Sequence, residues 1–240
     1  MDEFKYVGSE LDLFSAVHNW KSYWSSRIKS FIVGDVLEVG AGIGSNTSYL
    51  DQKLSGRWVC LEPDSNLIPL IHENLARVRH RKYEVVCGTL KKVDAERFDT
   101  IIYIDVLEHI ENDVVELETA SKLLRAGGRL LVLSPAHKFL FTPFDAAIGH
   151  YRRYNTSTLR SLTPLGLDLE RIFYLDSVGM ALSFANRLIL KQSMPTKEQL
   201  RFWDQCVIPI SRVTDRFLFG SLGKTIVAIW VNKQNLLLQR

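Results

Sequence analysis

The stretch Asp35-Val36-Leu37-Glu38-Val39-Gly40-Ala41-Gly42-Ile43-Gly44 reads as a short strand, a glycine-rich turn and the approach to a helix starting near Ser45. Val36, Leu37 and Val39 are apolar with no polar alternation on one face, the pattern of a parallel strand buried on both sides. Glycine at every second position from Gly40 to Gly44 lets the backbone turn sharply and leaves no Cβ between it and a ligand. The first turn of the following helix offers unpaired N–H groups and a partial positive charge. Local chemistry therefore predicts a nucleotide-like ligand at a strand-to-helix turn.

Working outward, strand and helix signals alternate. Strands are predicted at 57–62, 83–87, 100–104 and 129–134, with helices at 65–76 and 113–124. Asp113 and Glu116 are placed to form a capping box at the second of these helices, and Gly127-Gly128 to end it. This rhythm predicts an α/β fold, a doubly wound and mostly parallel sheet whose ligand lies at the carboxyl ends of the strands. Two further strands, at 168–175 and 225–231, bring the sheet to seven. The long segment between them carries helical apolar patterns (Met180, Phe184, Leu188; Leu200, Trp203, Val207) and reads as a cap. Upstream of Asp35, Leu11, Phe14, Val17, Trp20 or Lys21, Tyr23, Trp24, Ile28 and Phe31 fall at helical spacing. Trp20, Tyr23 and Trp24 suit either a core or the wall of a pocket. The expected organisation is a single domain. It has N-terminal helices in 1–33, a cofactor-binding core in 34–137 and a substrate-side region in 138–240, the last with a helical insertion at about 176–222.

Bulk properties narrow the function classes. The net charge of +3 over 240 residues does not by itself point to nucleic acid. The basic run from Arg77 to Lys82 fits a cationic helix end. Cys60, Cys87 and Cys206 are scattered, with no CxxC pair, so neither a metal site nor a disulfide framework is indicated, and Cys60 and Cys87 read as small core residues. No secretory signal or spanning run is visible, which makes a cytoplasmic protein without a membrane span the expectation.

The ligand is narrowed by spacing. A dinucleotide fingerprint places its third glycine three residues after the second, where this chain has Ser45. The arrangement Glu38-x-Gly40-x-Gly42-x-Gly44 instead resembles the first motif of class I S-adenosylmethionine-dependent methyltransferases. Leu61-Glu62-Pro63-Asp64 at the end of the second strand is similar to that family's ribose-binding turn. Asp105-Val106-Leu107-Glu108-His109-Ile110 resembles its segment beside the methionine end, and Leu123 to Leu130 its turn into the fifth strand. The resemblance runs in register from about Asp35 to Pro135, more loosely over the last two strands.

The resemblance implies a Rossmann-like methyltransferase fold and S-adenosylmethionine as cofactor, with S-adenosylhomocysteine as product. It implies a small-molecule acceptor, as in small-molecule or natural-product biosynthesis, no nucleic acid, and a monomer or homodimer. The cofactor residues it implies are Glu38, Gly40, Ala41, Gly42, Gly44, Glu62, Pro63, Asp64, Gly88, Thr89, Leu90, Asp105 and Val106. A carboxylate at Glu62 suits two ribose hydroxyls because it accepts several bonds. The chain departs from many relatives after the third strand, where Cys87-Gly88-Thr89-Leu90 lacks an acid for the adenine amino group. Backbone groups and Thr89 or Leu90 would then hold the adenine.

In-line methyl transfer depends mainly on alignment, aided by a base where the acceptor carries a proton. His109 and His137, each following a strand end, are the candidate bases, with a structural role as the alternative for each. His150, Tyr151, Arg152 and Tyr154 are candidate acceptor contacts. The rival readings are a nicotinamide-dependent oxidoreductase, which Ser45 counts against, and an S-adenosylmethionine-binding protein without transfer. A nucleic-acid methyltransferase would want an N/D-P-P-Y/F-type segment where Ile104-Asp105-Val106-Leu107 stands.

Overall fold

The computed structural model describes residues 14, 16–51, 55–78, 82–189 and 196–233. Leu11, Arg79, His80 and Arg81, named above, lie outside the described residues, as does the side chain of Leu188. Seven strands form one sheet: β1 (Val36–Val39), β2 (Trp58–Glu62), β3 (Glu84–Cys87), β4 (Phe98–Ile104), β5 (Leu124–Pro135), β6 (Leu167–Leu175) and β7 (Thr225–Asn232). Their order is β3-β2-β1-β4-β5-β7-β6. The β1–β2, β2–β3, β1–β4 and β4–β5 pairs are parallel, and β7 runs antiparallel between β5 and β6. The order reverses between β1 and β4, so a crevice opens beyond their carboxyl ends.

Both faces of the sheet are covered, as continuous apolar strands require. One face packs Trp58, Ile102, Leu131 and Ile229 against Trp20, Trp24 and Ile28 of α1 (His18–Ile28) and against Ile71 of α3 (Ile68–Ala76). The other packs Leu37, Val59, Tyr103 and Trp230 against Leu117 and Ala120 of α4 (Asp113–Lys122). The helix after the glycine turn, α2, is a short piece (Thr47–Leu50) that starts later than the sequence suggests.

Three local expectations are corrected. Asp113 does not cap α4. Asn112 does, its side chain accepting from the Val115 N–H, while Asp113 accepts from the Tyr154 hydroxyl and Glu116 from the Tyr103 hydroxyl. Cys87 is exposed, because β3 is the edge of the sheet and Cys87 is its last residue. The fifth strand begins at Leu124 rather than Arg129. Gly127, at φ +76°, lets the chain bulge there while the register shifts between Phe98 and Thr100.

Two short helices, α5 (Pro143–Ala147) and α6 (Thr156–Ser161), lie between β5 and β6, and the cap between β6 and β7 comprises α7 (Ser177–Ile189), α8 (Lys197–Phe202), a π-turn (Trp203–Val207) and α9 (Ile208–Phe217). Buried acids fasten it. Asp215 accepts from the Tyr23 hydroxyl at 2.8 Å and from the N–H groups of Asp176 and Ser177 at 2.7 and 2.9 Å. Asp176 accepts from the Trp203 indole, and Asp204 from the Trp20 N–H, each at 2.8 Å. Buried carboxylates with several donors each are far costlier to break than surface pairs, so these contacts fix the cap against α1. Among the described residues no helix is long and apolar enough to cross a membrane.

Candidate functional site

A cavity of about 1440 Å³ lies at the carboxyl ends of β1 and β4, under α1 and the cap. Small-ligand sites usually measure roughly 300–1,000 Å³, so this one has room for two molecules side by side.

The glycine turn forms one wall. Gly40, Gly42 and Gly44 all have positive φ, at +66°, +58° and +72°. A Cβ on Gly40 would stand 2.6 Å from Cγ2 of Val106, so only glycine lets β1 and the post-β4 loop approach this closely. Glu62 crosses behind the turn, accepting from the Gly42 N–H at 2.8 Å through one oxygen and from the Asp64 N–H at 2.9 Å through the other. A carboxylate has about four acceptor positions, so Glu62 keeps capacity for further donors in the cavity it lines. Burial raises its carboxyl pKa against these two bonds.

Gly40, Ala41, Gly42, Glu62, Pro63, Gly88, Thr89, Leu90, Asp105 and Val106 all line this cavity. Three of the expected cofactor residues do not. Glu38 is buried behind the turn, where it accepts from the Thr47 hydroxyl at 2.8 Å and the Trp58 indole at 3.0 Å, tying the start of α2 to β2. Burial pushes its carboxyl up to about 7. Gly44 packs its open face toward Ile71 and Leu75. Asp64 turns back on its own loop, accepting from the Asn66 N–H and side-chain amide, each at 2.9 Å. These three shape the turn rather than face the cavity.

Asp105 follows β4 at φ +54°, a backbone conformation uncommon outside glycine and concentrated at functional sites. Water reaches it through the cavity, while enclosure by the surrounding protein raises its carboxyl to about 6. The charges of His150, Lys21, Lys224 and Arg153 pull the other way.

The histidines separate. His109 and His150 line the cavity and pack edge to face with ring centroids 4.5 Å apart. Burial, and then the neighbouring His150, lower His109 to about 4, so it is neutral near pH 7. The Nδ1 of His150 lies 3.0 Å from Oδ1 of Asp145, and its Nε2 3.9 Å from Oε1 of Glu108. Asp145 is buried and also bonds the Arg153 guanidinium and the Thr142 N–H and hydroxyl. Burial alone would raise its carboxyl, but His150 and Arg153 hold it well below the usual range. Burial, and then the charge of Asp105, raise Glu108 well above it; one of its oxygens accepts from the Ser134 hydroxyl at 2.9 Å. Glu108, His109 and His150 each bring one donor atom within 4.8 Å of the others, a cluster that spacing along the chain did not reveal.

His137 is elsewhere. Its ring lies stacked with Phe139 and Tyr174, outside the cavity lining, with a buried Nε2 lacking a partner among the described residues. Tyr151 lines the cavity, but Arg152 and Tyr154 do not. Arg152 pairs with Asp113 at 2.7 Å and donates to the Glu111 carbonyl, and the buried Tyr154 hydroxyl donates to Asp113. Arg152 and its neighbour Arg153 therefore point different ways, and Arg153 is the one in the site.

Lys21 and Lys224 were not singled out by motif. Lys21 reaches from α1 to the Ser45 hydroxyl at 2.9 Å, closing the roof over the glycine turn, and burial lowers it to about 8. A lysine on the apolar stripe of the first helix was its only sequence signal. Lys224, at the start of β7, lies over the Trp203 ring with its Nζ 4.0 Å from the centroid. The remaining wall is apolar, with Trp20, Trp24, Leu140, Phe141, Phe144 and Trp203 prominent.

The family described as a methyltransferase domain matches residues 37–130, the span that holds the glycine turn, Glu62 and Asp105. Residues 37–130 of this chain carry a methyltransferase domain, which supports a class I S-adenosylmethionine-dependent methyltransferase. The methyltransferase fold accounts for the parallel sheet, its antiparallel β7 and the site at the reversal of strand order. The domain and fold imply S-adenosylmethionine as methyl donor. The cavity fits such a group: it offers glycine backbone at positive φ, a carboxylate with spare acceptor positions, and a Gly40 approach that a Cβ would fill.

Among curated proteins, the mitochondrial methyltransferase OMS1 of Saccharomyces cerevisiae is 29% identical over 119 residues, 42% of this chain and 25% of that protein. The aligned part thus spans about a quarter of that relative's length. A Galdieria sulphuraria structure described as a candidate sarcosine dimethylglycine methyltransferase superposes with a TM-score of 0.59 at 17% identity, over 90% of this chain and 85% of that one. The mitomycin 7-O-methyltransferase MmcR superposes with a TM-score of 0.57 at 13% identity, over 92% and 54%. At such identities the structures bear on the fold alone.

Proposed function

We propose that this protein transfers the methyl group of S-adenosylmethionine to an apolar small molecule carrying an ionisable O–H or N–H, with His150 taking the proton. The observation that carries this reading is that the glycine turn and the Asp145–His150 pair open into one cavity. When bound, S-adenosylmethionine supplies an electrophilic methyl on a sulfonium.

The chain's own residues do the rest. Backbone at Gly40 to Gly42 and the carboxylate of Glu62 would hold the ribose end, and Gly88, Thr89 and Leu90 would hold the adenine. Asp105 and Val106 would bound the methionine end. Tryptophan and phenylalanine side chains exclude water from the acceptor, which aligns it and strengthens every charge interaction nearby. Asp145, fixed by Arg153 and Thr142, keeps the Nδ1 of His150 protonated and leaves Nε2 as the acceptor of the proton. This is the orienting role of a carboxylate behind a catalytic imidazole. His109, held neutral, is a weaker base by Brønsted behaviour and positions His150 through edge-to-face contact.

The test is to incubate the full chain with S-adenosylmethionine and a panel of phenols, hydroxyquinones and aromatic amines, and to follow S-adenosylhomocysteine by chromatography. Turnover confined to acceptors with an ionisable proton supports the reading. Binding of S-adenosylmethionine with no turnover on any member would contradict it.

A further inference from the structure

The helical run 197–217, made of α8, the π-turn and α9, has two opposite faces. Trp203, Val207, Ile208, Ser211 and Asp215 are buried. On the outer side, positions 202, 206, 210, 213 and 217 recur every three or four residues, so they form one stripe along the helix. Phe202, Ile210, Val213 and Phe217 on it are 58%, 55%, 57% and 75% exposed, and Phe219 just beyond is 92% exposed. Scattered exposed apolar residues need no explanation, but a continuous stripe of them does.

Arginines flank the stripe. Arg201, Arg212 and Arg216 are exposed on the same run. Arg27 of α1 joins Arg212 and Arg216 around a separate pocket of about 490 Å³ whose lining includes Val213 and Phe217. Among the described residues none of these four arginines has an ion-pair partner. The acids of this run do not neutralise them: Asp204 and Asp215 are buried and engaged by backbone and tyrosine donors, leaving Glu198 beside Lys197 as the exposed carboxylate.

We infer that this face docks on an anionic lipid bilayer, with the apolar stripe at the headgroup–acyl boundary and the arginines among the headgroups. An apolar helical face edged by cations is the pattern of helices that lie in a membrane interface. A second copy of this chain fits less well, because an isologous contact would bring the same unpaired arginines of both copies to one interface. Phe202 and Leu182 are exposed and also line the large cavity, so the bilayer would lie against the cavity's apolar side.

Co-sedimentation of the full chain with phosphatidylcholine vesicles, with and without phosphatidylglycerol, tests this. Binding should require the anionic lipid and weaken as salt is raised. Arg212→Gln with Arg216→Gln should reduce partitioning by about fivefold per arginine. Ile210→Ser, Val213→Ser and Phe217→Ser together should reduce it by at least about tenfold. Circular dichroism checks that the variants fold, and the arginine pair decides the matter if the serine variant does not. The inference is overturned if anionic vesicles bring down no protein, or if the arginine variant partitions as the wild type does. It is equally overturned if the wild type is a dimer that the serine variant converts to monomer, since a second copy then covers the face.

Discussion

His150 and Asp145 are joined through Nδ1 and Oδ1 at 3.0 Å, and Asp145 is held in turn by Arg153. The pair lines the same cavity as a glycine turn more than a hundred residues earlier in the chain. If His150 is the base, His150→Ala should lower turnover by about 10²–10⁴, the usual worth of a positioned proton acceptor. Cofactor affinity, measured by calorimetry, should change less than about threefold. His109→Ala should cost less than about tenfold in turnover, because a group held near 4 is a weak base at neutral pH.

The same three donor groups, Glu108, His109 and His150, could serve a cation instead of a proton. The proton reading predicts that exhaustive treatment with a chelator leaves turnover within about twofold, and that added zinc or magnesium does not raise it. Loss of activity on chelation, restored by one divalent ion, would replace the base with a metal centre.

Glu38 offers a pH signature of the fold. Its carboxyl titrates near 7 in the folded chain against an ordinary value of 4.5. Between those values the folded state binds more protons than the unfolded one, so stability falls as pH rises through this window. The full contribution is about 3 kcal/mol at about 1.4 kcal/mol per pH unit. Glu38→Gln keeps an acceptor for Thr47 and Trp58 but cannot ionise. Thermal melts from pH 4 to 8 should therefore show a flatter dependence in the variant. Parallel curves for the two proteins would mean that Glu38 does not ionise in this range.

His137→Phe should leave turnover within about twofold, since its ring is stacked with Phe139 and Tyr174 rather than lining the cavity. A large loss in a variant that still binds S-adenosylmethionine would return His137 to the list of bases.

The sheet was legible because its information is local. Val36 to Val39, Trp58 to Glu62 and Phe98 to Ile104 are apolar runs whose burial follows from composition. The positive-φ glycines announced the turn by spacing alone. Legibility fell where a side chain's direction depends on a distant partner. Glu38 looked like a ligand because it precedes the turn, yet strand alternation sends it toward Thr47 and Trp58. Arg152 and Arg153 are neighbours in sequence, and only the fold decides that Asp113 takes the first and Asp145 the second. Lys21 and Lys224 come from opposite ends of the chain and meet the site only once α1 and β7 are in place.

If the turn at Gly40 to Gly42 binds S-adenosylmethionine, calorimetric titration of the wild type and of Gly40→Val will show it. The wild type should take up one equivalent. The variant, with a Cβ placed 2.6 Å from Val106 at φ +66°, should bind at least about a hundredfold more weakly while keeping its far-ultraviolet circular dichroism. No uptake by the wild type, or equal affinity in a folded variant, would mean that the glycine turn does not bind S-adenosylmethionine.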